Sequence, residues 1–124
     1  MVRVRQVALH VDDLDRAVAF YELALAQPVA ARFDPPGLAF FALGPTRLLL
    51  EAGAPAPMLY LGVDDVRETV ERLRADGVAI ESEPHVIFRH DSTDLGTPGS
   101  EEWMAFFKDS EGNLVGLVSE LAPS

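Results

Sequence analysis

The chain has 124 residues, a formal net charge of −10 at pH 7 and no cysteine. This length suits a single domain, and the lack of cysteine excludes disulfides, thiolate metal ligands and a thiol nucleophile. The acidic balance argues against a nucleic-acid partner, because phosphates would be repelled. It indicates either ordinary solubility or an acidic cleft for a cationic ligand. No apolar run approaches the roughly 20 residues of a membrane span and no signal-peptide pattern begins the sequence, so we expect a cytoplasmic protein without a membrane partner.

The first half of the chain predicts a strand, a helix and three more strands. Residues 4–11 alternate, with Gln6 and His10 on one face and only aliphatic side chains on the other. Asp12 or Asp13 can cap a following helix, whose apolar residues recur at helical spacing. Turn residues then separate three short apolar runs, as in an antiparallel meander: 29–33, 38–43 and 46–52.

The same order of elements begins again at position 58. A strand over 58–63 is followed by Asp64 and Asp65, a second helical pattern and Gly77, where a helix C-terminal glycine belongs. Later strands are predicted around 78–88, with a bend at Pro84, and on both sides of a tight turn in which Gly112 takes a positive φ. The chain is therefore expected to form one domain, 1–124, built from two modules, 1–52 and 58–121.

The second copy is longer than the first, and the extra residues fall in 88–100. This run is rich in Asp, Ser, Thr, Gly and Pro, which predicts a mobile loop that covers a cavity. His85 and His90 lie in or beside it, and nothing in the sequence brings them together.

Two stretches, residues 9–21 and 106–114, resemble the vicinal oxygen chelate superfamily, which includes glyoxalase I, extradiol dioxygenases and bleomycin-resistance proteins. The resemblance covers essentially the whole chain. It implies an α/β (α+β) fold in which two βαβββ modules form a cupped, partly open eight-stranded sheet around a cavity. It also implies a homodimer.

The resemblance assigns the superfamily's four metal-ligand positions to Gln6, Glu51, Met58 and Gly116. A thioether binds hard divalent ions poorly, and glycine has no side chain. We therefore expect no metal cofactor, with a weakly bound divalent ion as the open alternative. His10 shares a face with Gln6 but lies about 13 Å further along the strand, too far for one metal.

Three polar residues are candidates for chemistry in the cavity. His10 could contact an anionic ligand or move a proton, or only form a hydrogen bond at the rim. Glu51, without a metal, would face apolar walls that raise its pKa and suit a general base; alternatively it is exposed or pairs with Arg47 or Gln6. Arg47 is either a cavity cation or a solvent-facing strand residue. Glu51 and His10 are the catalytic candidates.

Aromatic and sulfur side chains complete the predicted pocket. They could accept a flat apolar ligand, or they could only fill the core. The candidate ligand-binding residues are Gln6, His10, Arg47, Glu51, Met58, Tyr60 and Trp103.

The function expected from the resemblance and the missing ligands is binding of a small organic molecule without the superfamily's metal site. The alternative is a metal-assisted lyase, isomerase or dioxygenase that uses Gln6, His10 and Glu51. No residue pattern predicts which ligand is bound.

Overall fold

The structure, a computed structural model, describes residues 2–53 and 57–122. The first module consists of β1 (Arg3–His10), α1 (Leu14–Leu25), β2 (Ala31–Phe33), β3 (Leu38–Leu43) and β4 (Thr46–Glu51). The second consists of β5 (Met58–Gly62), α2 (Val66–Ala75), β6 (Ala79–Arg89), β7 (Glu101–Lys108) and β8 (Leu114–Leu121).

The strands form one eight-stranded sheet in the order β2-β3-β4-β1-β5-β8-β7-β6. β1 is parallel to β4 and β5 is parallel to β8, whereas the other pairs with an assigned register are antiparallel. The predicted α+β class with two βαβββ modules is confirmed. Neither helix in the described part of the chain is long and apolar enough to cross a membrane.

The described residues divide into two compact units. The first unit lies within Gln6–Met58, and the second combines residues 2–5 with residues 59–122. Each unit contains one helix packed on its own strands, so each has its own apolar core.

In the first unit, α1 begins at Asp13, one of the two predicted caps. The Asp13 carboxylate accepts a hydrogen bond of 3.0 Å from the backbone N–H of Arg16, which satisfies a donor that the helix itself leaves unpaired. The buried residues Leu14 and Val18 pack on the aliphatic face of the sheet. The opposite face is therefore the one that carries Gln6, as the alternation of β1 predicts.

In the second unit, α2 begins at Asp65, whose side chain accepts from the backbone and the guanidinium of Arg67. The Arg67 side chain is the main reason that the pKa of Asp65 is lowered. After the helix, Gly77 has a φ of 87°, as its position predicts. Val66 and Val70 pack on strands β7 and β8.

The turn between β7 and β8 is held by Asp109. Its carboxylate accepts 2.8 Å hydrogen bonds from the backbone N–H groups of Glu111 and Asn113, and a 2.9 Å bond from the Asn113 side-chain amide. Gly112 has a φ of 83°, as predicted. The Asn113 side chain, ahead of its own backbone N–H, lowers the pKa of Asp109.

Because its folded pKa is lowered, ionised Asp109 should stabilise this turn above the ordinary aspartate pKa of about 3.9. That stabilisation should be lost as the pH falls through the lowered folded value, with faster amide exchange at Asn113. An NMR titration of the Asp109 carboxyl measures the first effect, and hydrogen exchange measures the second. In Asp109→Ala the Asn113 amide should lose its protection, relative to an unprotected amide at the same pH, across the whole pH range; an Asp109 that titrates at its ordinary value would contradict the prediction.

Strand β6 corrects the predicted loop boundary. Phe88 and Arg89 pair with Glu102 and Glu101 of β7, so the loop begins at His90 rather than at Phe88. The strand runs through Pro84, with a shift of register between Ser82 and His85. Proline cannot donate to the ladder, so such a shift at a sheet edge accommodates it.

Candidate functional site

The first unit holds a buried polar pair on the sheet face opposite α1. Gln6 and Arg47 are register partners on the parallel strands β1 and β4, and they are only 1% and 4% exposed. The Arg47 Nε–H donates to Gln6 Oε1 over 2.8 Å. The guanidinium carbon also lies 5.4 Å from the centroid of the Phe40 ring, a cation–π geometry. The structure thus joins two of the predicted ligand-binding residues.

His10 and Glu51 lie at the other end of these two strands, again as register partners. The imidazole of His10 is 44% exposed, and its Nε2 lies 2.8 Å from a carboxylate oxygen of Asp12. Glu51 is half-buried, and no hydrogen bond or ion pair reaches its carboxylate from within residues 2–53 and 57–122. His10 is therefore held at the surface by Asp12 and is not brought to Gln6.

In the second unit, a large side chain packs against a glycine. Tyr60 of β5 and Phe106 of β7 are both register partners of Gly116 in β8. Tyr60 is 8% exposed, and its ring meets that of Phe106 edge-on at a centroid distance of 6.0 Å. A Cβ atom added to Gly116 would lie 2.4 Å from Cδ2 and 2.8 Å from Cε2 of Tyr60. The Tyr60 ring therefore occupies the space that a side chain at position 116 would need.

Trp103 lies on the other face of this unit. It packs with Phe107 against the core beneath α2, and the Arg67 guanidinium lies 5.1 Å from its ring. Since alternate residues of β7 point to opposite faces, Trp103 and Phe106 cannot share a surface. The structure does not bring Trp103 together with Tyr60.

The residues at the four resemblance-derived ligand positions do not fit a metal ion. The amide oxygen of Gln6, the atom a metal would need, accepts from a guanidinium instead. Met58 offers a half-buried thioether, and at Gly116 there is neither a ligand atom nor room for one. Across residues 2–53 and 57–122, no group of three or more histidine and carboxylate side chains is placed to hold a metal.

Sequence reasoning missed a buried histidine–carboxylate pair in the second unit. His90 is 2% exposed and Glu102 is 4% exposed, and His90 Nε2 lies 3.1 Å from the Glu102 carboxylate. A signal was available: Glu102 shares a strand face with Met104 and Phe106, and a carboxylate on such a face requires a partner.

The backbone around His90 closes the loop that follows β6. Its N–H donates to the carbonyl of Ser100 over 2.9 Å, and its carbonyl accepts from Gly99 over 2.7 Å. The imidazole fills the centre of the loop, since a Cβ on Gly96 would lie 2.9 Å from three of its ring atoms. His90 therefore contacts Gly96, Gly99 and Ser100 of the loop over residues 90–100.

Glu120 fixes the end of the same loop. One carboxylate oxygen accepts from the Thr97 N–H over 2.6 Å and from the Ser100 hydroxyl over 2.8 Å. Partial burial raises the pKa of Glu120, but these hydrogen bonds and the nearby His90 outweigh it, so the pKa lies below its usual value. Glu120 is thus an ionised anchor for Thr97 and Ser100.

Comparison with known proteins identifies the family. Residues 3–117 match the family model described as the Glyoxalase/Bleomycin resistance protein/Dioxygenase superfamily, and the chain belongs to this superfamily. No curated protein matches the chain.

Solved structures with this fold share little sequence with the chain. A hypothetical protein from Bacillus halodurans is 16% identical with a TM-score of 0.71, over 99% of this chain and 97% of that one. A superfamily member from Vibrio splendidus is 14% identical with a TM-score of 0.67, over 98% and 100%. A Streptomyces coelicolor methylmalonyl-CoA epimerase variant, in complex with 2-nitronate-propionyl-CoA, is 18% identical with a TM-score of 0.70, over 98% of each chain. At such identities these similarities establish the fold and not the activity.

Proposed function

We propose that this chain is a metal-independent member of the superfamily that binds a small organic molecule. The observation that carries the proposal is the buried hydrogen bond from Arg47 to Gln6. A metal ion on Gln6 would have to displace this bond and leave a charged donor buried without its acceptor, which costs roughly 1.5–3 kcal/mol. The ion would also sit beside a guanidinium, and like charges repel.

The surroundings of the pair suit an organic ligand better than an ion. Ala8 and Leu49 on the same two strands, and Phe40 on the adjoining β3, are buried apolar neighbours of the pair. Small-molecule sites are typically apolar surfaces with a few fixed polar groups that orient the ligand. Arg47, held by Gln6 and by Phe40, is such a fixed group.

The proposal includes a homodimer, which the resemblance supports, and a cytoplasmic location, which the cysteine-free sequence supports. Sedimentation equilibrium of the purified chain tests the first, since a monomeric mass across the concentration range would contradict it. Fractionation of the source cells tests the second.

Metal analysis and native mass spectrometry of the purified protein test the main proposal. We expect less than stoichiometric zinc, nickel, iron and manganese, and no rise in Tm when any of these ions is added to protein dialysed against EDTA. We also expect native spectra to show a bound organic species that is lost on denaturation. A stoichiometric divalent ion that raises the Tm would contradict the proposal.

A second candidate function is a metal-assisted lyase, isomerase or dioxygenase. The half-buried Glu51 carboxylate favours it, because it is available as a ligand or as a base.

Under the main proposal, Glu51→Gln should shift the Tm equally in EDTA and in added zinc or nickel. If Glu51 holds a metal, the variant should lose a metal-dependent rise in Tm that the parent shows. Thermal melts of both proteins in both buffers separate the two functions.

A further inference from the structure

Tyr60 and Gly116 are register partners on neighbouring strands, and the Tyr60 ring fills the volume that a side chain at position 116 would occupy. A glycine inside a strand is unfavourable by itself, yet Gly116 is buried in the middle of β8. The aromatic ring of Tyr60 covers it from β5, and Phe106 approaches it from β7, with Cε2 at 3.2 Å from the position of an added Cβ. Tyr60 of β5 thus lies beside Gly116 of β8, which has no side chain.

The fit is too close to admit any side chain at position 116. Real Cβ atoms essentially never approach another heavy atom within 3.0 Å, and two ring atoms of Tyr60 lie inside that limit. The ring is buried and has Phe106 beside it, so it has little freedom to move away. Restoring a carboxylate at position 116 therefore requires a change at position 60 as well.

We infer that Tyr60 closes the fourth metal-ligand position, and that residue 60 decides whether a ligand side chain can be placed at position 116. This inference rests on the proposed metal-independent function. It adds that the lack of suitable ligand atoms at Met58 and Gly116 is not the only obstacle to a metal ion. The Tyr60 ring, which occupies the space at position 116, is a separate obstacle.

A double-mutant cycle on stability tests the closure without any metal. Gly116→Ala should lower the Tm by roughly 4–15 °C, the expected cost of overpacking a buried position. In the Tyr60→Ala background the same substitution should leave the Tm unchanged or raise it, because the ring is gone.

Tyr60→Val, which suits a strand, serves as the background if Tyr60→Ala does not fold. Gly53→Ala is the matched control, since a Cβ there meets nothing within 4 Å. Gly116→Ala melting with the parent, or costing the same in both backgrounds, would overturn the inference.

Gly116→Glu tests the consequence for a carboxylate at this position. It should lower the Tm more than Gly116→Ala does while Tyr60 is present, and this loss should shrink once Tyr60→Ala is added. An equal loss of Tm with Tyr60 in place and with it removed overturns the inference. Failure of the proposed function is distinguishable, because it appears as stoichiometric zinc binding by the parent itself.

Discussion

Replacing Gln6 with leucine should lower the free energy of unfolding by about 2 kcal/mol. The substitution removes the acceptor of the Arg47 Nε–H in a pair that is almost fully buried. Leucine is close in size to glutamine, so the cost comes from a charged donor that loses its hydrogen bond rather than from a cavity. Urea denaturation of the parent and the variant measures the difference through the midpoint at constant m-value.

The chain offers a matched control in the same unit. The Gln27 side chain donates to the carbonyl of Ala42 over 2.8 Å, but at a more exposed position. Water can replace that bond, so Gln27→Leu should change stability by no more than about 0.5 kcal/mol. Equal effects of the two substitutions would show that Gln6 and Arg47 are not a buried pair.

His90→Ala should lower the free energy of unfolding by about 3 kcal/mol, from a lost buried contact with a carboxylate and a cavity in place of the ring. The imidazole fills the loop over residues 90–100 and reaches Glu102. Without it the loop should lose its packing and become a preferred site of proteolysis. Denaturant melts and limited trypsin or V8 digestion, followed by mass spectrometry, measure the two effects.

His85→Ala is the control for the loop prediction. The side chain of His85 is exposed, and its Nδ1 contacts only the nearby Glu83 carbonyl among the described hydrogen bonds. We expect a change within about 0.5 kcal/mol and an unaltered cleavage pattern. Cleavage of the parent within 90–100 as fast as in His90→Ala would refute the anchoring role of His90 and favour the mobile loop predicted from composition.

The sequence by itself determined those features that depend on near neighbours. The alternation of β1 correctly placed Gln6 on the face away from the helix, because successive strand residues point to opposite sides. The pairs Asp12-Asp13 and Asp64-Asp65 marked both helix starts, since a short carboxylate side chain satisfies the first free N–H groups. Gly112 marked the β7–β8 turn. In each case the partner lies within a few residues along the chain.

Only the tertiary structure decided which distant side chains meet. Gln6 bonds to Arg47 because the parallel register of β1 and β4 sets them opposite each other, and local sequence does not specify that register. Trp103 was a candidate either for a pocket with Tyr60 or for the core, and the side of the sheet that α2 covers places it in the core. The composition of residues 88–100 suggested mobility, whereas the buried contact of His90 with Glu102 holds the loop. Such pairings depend on register and on burial between separate segments, and neither periodicity nor composition carries that information.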